Sequence, residues 1–117
     1  MTSCQRMEAA ARRPRFFERV FGPEEQALLW KRGYPQEGGA RWVETAAASF
    51  CAKEAFGKLF GTGVRGFRLS EVELLREESG LPFLRLHGAA AEMAKGWEFS
   101  VSVTHVEEYA AVVIMGQ

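Results

Sequence analysis

Residues 50–63, Phe50-Cys51-Ala52-Lys53-Glu54-Ala55-Phe56-Gly57-Lys58-Leu59-Phe60-Gly61-Thr62-Gly63, mark the point at which the chain changes character. Upstream, Trp42, Ala46 and Phe50 recur every fourth residue with no proline between them, so the spacing predicts a long helix from about Ala40 to Phe60. The Gly61-Thr62-Gly63 segment ends it. Downstream the period falls to two. Val72 and Leu74 alternate with glutamates, Leu84 and Leu86 with Arg85 and His87, and Phe99, Val101 and Val103 with Ser100, Ser102 and Thr104. The alanine-rich residues 88–95 predict a short helix between two strands, and Tyr109 to Met115 an almost wholly apolar last strand. Before the long helix, Met7 to Arg13 is rich in helix formers and is stopped by Pro14; Arg15 to Arg19 predicts a further helical turn. Gly22-Pro23-Glu24-Glu25 opens another helix, which closes on Lys31-Arg32-Gly33. The expected class is α+β: one domain over residues 1–117, with a long central helix packed on an antiparallel sheet.

Composition narrows what such a domain can do. The 117 residues carry 15 basic and 15 acidic side chains, so the whole molecule has no net field to draw in nucleic acid or an anionic membrane. Every acid is glutamate, with no aspartate and no asparagine. That excludes a Ser-His-Asp triad, an EF-hand loop and an N-glycosylation sequon. Two distant cysteines, Cys4 and Cys51, and two histidines, His87 and His105, lack the spacing of a structural zinc site. No apolar run approaches the roughly 20 residues needed to cross a bilayer, and free thiols without a secretory signal point to the cytoplasm.

Two segments carry chemistry. On the long helix, Phe50, Glu54 and Lys58 are spaced by four and share a face. Taken alone, Glu54 and Lys58 in that order read first as a surface ion pair worth about 0.2–0.5 kcal/mol. Gly57 in the helix interior costs about 1 kcal/mol relative to alanine, which predicts close approach of something to its backbone. The Gly-Thr-Gly segment follows a helix C-terminus, so it is not a P-loop. The second segment is Ser100-Val101-Ser102-Val103-Thr104-His105, followed by Glu107-Glu108-Tyr109-Ala110-Ala111. Alternation puts three hydroxyls on one face of a strand that ends in a histidine.

Together, Lys-Glu-Ala-Phe-Gly-Lys with Phe-Gly-Thr-Gly, and Val-Thr-His with Glu-Tyr-Ala-Ala, resemble the signature of the holo-acyl-carrier-protein synthases. These are the small trimeric phosphopantetheinyl transferases. Arg15-Phe16, Glu18-Arg19-Val20-Phe21 and Gly80-Leu81-Pro82 extend the similarity from Arg6 to Ile114. The resemblance implies transfer of the 4'-phosphopantetheine arm of coenzyme A to a serine of an acyl carrier protein, with magnesium as cofactor. It implies Glu54 as metal ligand, Lys58 as phosphate ligand, and His105 with the hydroxyls of Ser102 and Thr104 facing the cofactor. Arg41, the Gly61-Thr62-Gly63 loop and Pro82 complete the expected cofactor contacts. The base that takes the serine proton is left open, Glu54 through a metal-bound water being one candidate. A homotrimer is implied, with sites between subunits.

The partner also has a sequence signal. Arg6, Arg12, Arg13, Arg15 and Arg19 stand against Glu8 and Glu18 in the first 19 residues. An acidic carrier protein would dock on such a face, although Arg12 and Arg13 could equally complement a helix C-terminus.

Three positions depart from the family pattern. Its opening strand carries Gly-x-Asp, whose aspartate is the other metal ligand; counted back from Arg6, it falls immediately before Met1. The expectation is therefore that the family's first strand is missing from residues 1–117, either omitted from the sequence or absent from the molecule. Ser49 stands where arginine is common, and Leu81 where a basic residue is usual. Two alternatives follow from the missing aspartate: a non-catalytic module that binds coenzyme A or carrier protein, and a transferase domain cut from a larger synthase.

Overall fold

The computed structural model describes residues 1–36 and 41–117. A two-residue strand β1 (Thr2–Ser3) leads into three short helices, α1 (Cys4–Ala11), α2 (Pro14–Val20) and α3 (Pro23–Lys31). The central helix α4 (Arg41–Leu59) follows; Ala40, where the expected helix began, lies outside the described residues. A 3-10 turn (Leu69–Glu71) precedes the hairpin β2 (Val72–Arg76) and β3 (Pro82–Leu86). Then come α5 (Gly88–Met93) and the hairpin β4 (Phe99–Val106) and β5 (Tyr109–Gly116).

The helix boundaries have local causes. The Ser3 hydroxyl accepts the backbone N–H of Arg6 and caps α1. Pro14 and Pro23 sit in the first turns of α2 and α3, where a missing N–H costs nothing. Pro14 therefore opens α2 as well as stopping α1.

Helix α4 is buried nearly all round. Trp42, Ala46, Ala47, Ala48, Ala52 and Phe56 are inaccessible, as expected of a helix wrapped by other elements. The antiparallel sheet comes in two parts, β1-β5-β4 and β2-β3. In the first, Val101, Val103, Val112 and Ile114 pack against the core, while Tyr109, Val113 and Met115 are exposed on the other face. Register places Ser100 opposite Met115, Ser102 opposite Val113 and Thr104 opposite Ala111, so the hydroxyls share that outer face. A second cluster closes the far end of α4, with Phe56 ringed by Phe60, Phe67 and Phe99.

Thr2 pairs with Ala110 and Ser3 with Tyr109 in a strand of two residues that carries no Gly-x-Asp. One expectation is corrected. The alternation of β2 does not put Glu73 in solvent. Val72, Glu73, Leu74 and Leu75 are all buried, because α3 and α4 cover the faces of this strand and Glu73 has polar groups to meet there.

Candidate active site

The C-terminal half of α4 and the loop after it form one rigid corner. A Cβ on Gly57 would sit 1.9 Å from the carbonyl oxygen of Gly63, so only glycine lets the loop fold back onto the helix. The Thr62 and Gly63 N–H groups both donate to the Gly57 carbonyl, at 3.0 and 3.1 Å. Gly61 and Gly63 take positive φ, 75° and 59°, with open space where a side chain would be. The close approach predicted at Gly57 is thus to the chain's own loop.

Glu54 is half-buried and Lys58 exposed, on the face that helical spacing gives them. Among the described residues Glu54 makes no hydrogen bond or ion pair, with Lys58 or any other group. The ion-pair reading of these two residues therefore fails. Their neighbour Lys53 is the opposite case. Completely buried, it donates to Glu25 Oε1 at 2.6 Å and to the Val72 carbonyl at 2.5 Å. Desolvation pushes the Lys53 ammonium down from its ordinary pKa and the Glu25 carboxyl up, and their pairing opposes both shifts.

The other expected residues lie elsewhere on the chain. Ser102 and Thr104 are exposed on the outer sheet face, whereas His105 has the parity of Val101 and Val103, at the strand end beyond the core. Phe99 touches Phe56 and Phe60 near Lys58, and His105 is six residues further, about 20 Å along β4. Arg41 lies about 20 Å from Glu54 along α4 and is turned well away from it. Pro82 is half-buried at the start of β3, after a turn in which Gly80 has φ 94° and Leu81 is exposed. One chain therefore unites Glu54, Lys58 and the glycine loop, but not His105, Ser102, Thr104 or Arg41.

The basic residues sort differently from their order in sequence. Arg13, Arg15 and Arg19 line a groove of about 910 Å³ with Phe16, Val20, Phe67 and Leu69. Arg68, across the groove, joins them; its single charge in a mixed segment gave no signal in the sequence. Arg12 is instead paired with Glu8 at 2.7 Å, and Arg6 is exposed on α1 outside the groove. Sequence reasoning also missed Glu25, Glu73 and His87. Glu73 Oε2 accepts the N–H groups of Glu24 and Glu25 at the start of α3, and its Oε1 lies 2.6 Å from His87 Nε2. No local pattern in the sequence signals its burial, because alternation sets Glu73 apart from the apolar Val72 and Leu74.

A long helix ending in an acid without a partner among the described residues, a lysine and a tight glycine loop, packed on a β5-centred sheet, defines a class. The chain belongs to the 4'-phosphopantetheinyl transferase superfamily, whose profile matches residues 2–114. It is similar to the holo-[acyl-carrier-protein] synthase of Caldanaerobacter subterraneus subsp. tengcongensis, with 37% identity over 105 residues, 87% of this chain and 77% of that one. The fold matches the crystal structure of the Neisseria meningitidis holo-[acyl-carrier-protein] synthase at TM-score 0.82 and 24% identity, covering 99% of this chain and 92% of that one. It also matches a Bacillus anthracis holo-(acyl-carrier-protein) synthase in complex with CoA (3',5'-ADP), at TM-score 0.75 and 25% identity, covering 97% and 89% of the two chains.

Proposed function

We propose that this chain transfers 4'-phosphopantetheine from coenzyme A to a serine of apo-acyl carrier protein. The serine hydroxyl gives up its proton to a base, and its oxygen bonds to the phosphorus that carries the pantetheine arm. The pyrophosphate P–O bond breaks, and adenosine 3',5'-bisphosphate leaves. One observation carries the reading. Glu54 is a half-buried carboxylate with no partner among the described residues, one turn before an exposed Lys58 and a glycine-rich corner, in the fold of this family.

The donor set fits magnesium held jointly with substrate. Among the described residues no group of three or more histidines, cysteines or acids could cage a metal. Magnesium commonly takes one or two carboxylates and completes its shell with phosphate oxygens and water. Glu54 would hold it, and when bound it offsets charge at the reacting phosphates. Lys58 supplies a point charge to the same phosphates. The Gly61-Thr62-Gly63 backbone borders the nucleotide, and Pro82, at the far end of the β2–β3 hairpin, would meet the cofactor away from that loop.

His105, Ser102, Thr104 and Arg41 reach a cofactor on Glu54 only from a second copy, which favours a homotrimer with shared sites. The exposed Tyr109, Val113 and Met115 beside the hydroxyls supply apolar surface for that contact. The groove of Arg13, Arg15 and Arg19 suits an acidic carrier protein, with Arg6 and Arg12 outside it. No described helix is long and apolar enough to cross a membrane, and we place the reaction in the cytoplasm, where holo-carrier protein serves fatty acid synthesis.

Intact-mass spectrometry of apo-carrier protein incubated with coenzyme A, magnesium and this protein tests the reading. Addition of one phosphopantetheine is expected. Unchanged carrier, with coenzyme A still bound by the protein, would favour the non-catalytic module instead.

A further inference from the structure

Lys53 is an unusual choice for its position. Its side chain is wholly buried directly before Glu54, where methionine would pack without desolvating an ammonium group. What lysine adds is direction. The two oxygens that accept from Nζ belong to different elements, Glu25 on α3 and Val72 on β2. Both are held in turn. Glu25 also accepts the N–H groups of Gly22 at 3.0 Å and Leu74 at 2.8 Å, and Val72 is registered opposite Leu86. On the next residue of β2, Glu73 fastens the first turn of α3, and no Cβ fits at Gly22 because the Glu73 carboxyl group would lie 2.5 Å away. Three elements therefore meet at one nitrogen. Successive helix residues are about 100° apart, so holding Lys53 toward α3 and β2 sets the rotation of α4 about its axis. That rotation turns Glu54 outward, and Lys58 one turn later with it.

We propose that Lys53 is a positioning residue for Glu54, a lock that fixes the rotation of α4 so that carboxylate and Lys58 present together to metal and pyrophosphate. This rests on the reading of Glu54 as a magnesium ligand. Although Lys53 opens the Lys-Glu-Ala motif, its buried ammonium is directed at Glu25 and the Val72 carbonyl and away from solvent, so its work is done through the helix backbone.

The test uses the full chain and a double variant, Lys53→Met with Glu25→Gln. It removes both buried charges and keeps one acceptor oxygen at residue 25, enough for one of the two N–H groups that Glu25 serves, Gly22 on Oε1 and Leu74 on Oε2. Leu29→Ala, one turn after Glu25 on α3 and buried but with a side chain that makes none of the lock's hydrogen bonds, is the control for a loosened core. Two quantities are read: Mn2+ binding in the presence of coenzyme A, by electron paramagnetic resonance of free Mn2+, and amide hydrogen exchange over Ala55–Lys58. The double variant is expected to bind Mn2+ about tenfold more weakly, the lower end of what supporting residues around metal ligands give. Its amides should exchange faster, while the Michaelis constant for carrier protein stays within twofold. Leu29→Ala, compared at equal folded fraction, should match wild type in both. Wild-type Mn2+ binding in the double variant, or an equal loss in Leu29→Ala, overturns the proposal. Glu54→Gln separates it from the reading beneath it. If that variant binds Mn2+ as wild type does, the metal assignment fails. The lock is then judged on exchange alone, standing if only the double variant accelerates and falling if it does not.

Discussion

Lys53 and Lys58 stand five residues apart on one helix and have opposite surroundings. Lys53 is inaccessible, and its charge is consumed by Glu25 and the Val72 carbonyl. Lys58 is in solvent, and neither it nor Glu54 has a protein partner among the described residues. The same division runs through the acids, where Glu25 and Glu73 are buried and supplied with donors and Glu54 is half-open, with no partner among the described residues. The difference teaches how to sort charges in a neutral protein. A charge whose partners are built in specifies structure, and one left without a partner beside a preformed backbone corner is available to a ligand.

The sharpest way to break that contrast is to remove one inner charge. Lys53→Met alone strands the Glu25 carboxylate in the core and should cost about 3–5 kcal/mol of folding stability, measured by urea unfolding. A loss below about 1 kcal/mol would mean that the inner charges are not the structural half of the pair.

Next is the corner itself. Gly57→Ala drives a methyl group into the Gly63 carbonyl, and relief requires the loop to move off the helix. We expect a loss of about 1–3 kcal/mol and weaker coenzyme A binding in the same variant. Normal coenzyme binding would detach the loop from the site.

Smaller effects belong to the basic groove. Reversing Arg15 and Arg19 to glutamate should raise the Michaelis constant for carrier protein about tenfold and leave coenzyme A affinity unchanged. Added salt should weaken carrier binding by wild type in the same way, because exposed charges are screened over about 8–10 Å. The smallest effect is expected of Arg12→Ala. Its guanidinium is held by Glu8, so the carrier's Michaelis constant should move less than twofold. A large change there would extend the docking surface onto α1.

Much of the architecture was legible because periodicity reports which face is wet. The four-residue recurrence of Trp42, Ala46 and Phe50 marked α4, and the hydroxyl-valine alternation of residues 99–104 marked β4. Pro23 marked a helix start with equal clarity, while Pro14, legible as the stop of α1, also opens α2. Alternation failed at Glu73, because a strand covered on both faces by helices can bury a carboxylate when a helix N-terminus supplies donors for it. No local pattern encodes that meeting of residues some 49 positions apart in sequence. In the site, the spacing of Glu54 and Lys58 placed them on one face, yet their lack of mutual pairing depends on side-chain geometry that spacing does not determine. The arginines were visible as a count. Their division into groove and ion pair followed only from how α1 and α2 pack.

The central claim is that the outer charges of α4 do chemistry and the inner ones do structure. It is tested most directly by measuring Glu54→Gln twice, once by thermal melting and once by the rate of phosphopantetheine transfer to carrier protein with magnesium and coenzyme A. A melting temperature within about 2 °C of wild type, with transfer at least 100-fold slower, is the predicted result, a loss on the order of 3 kcal/mol of transition-state stabilisation. Transfer at the wild-type rate would contradict it, and so would a fall in transfer that merely follows a fall in melting temperature.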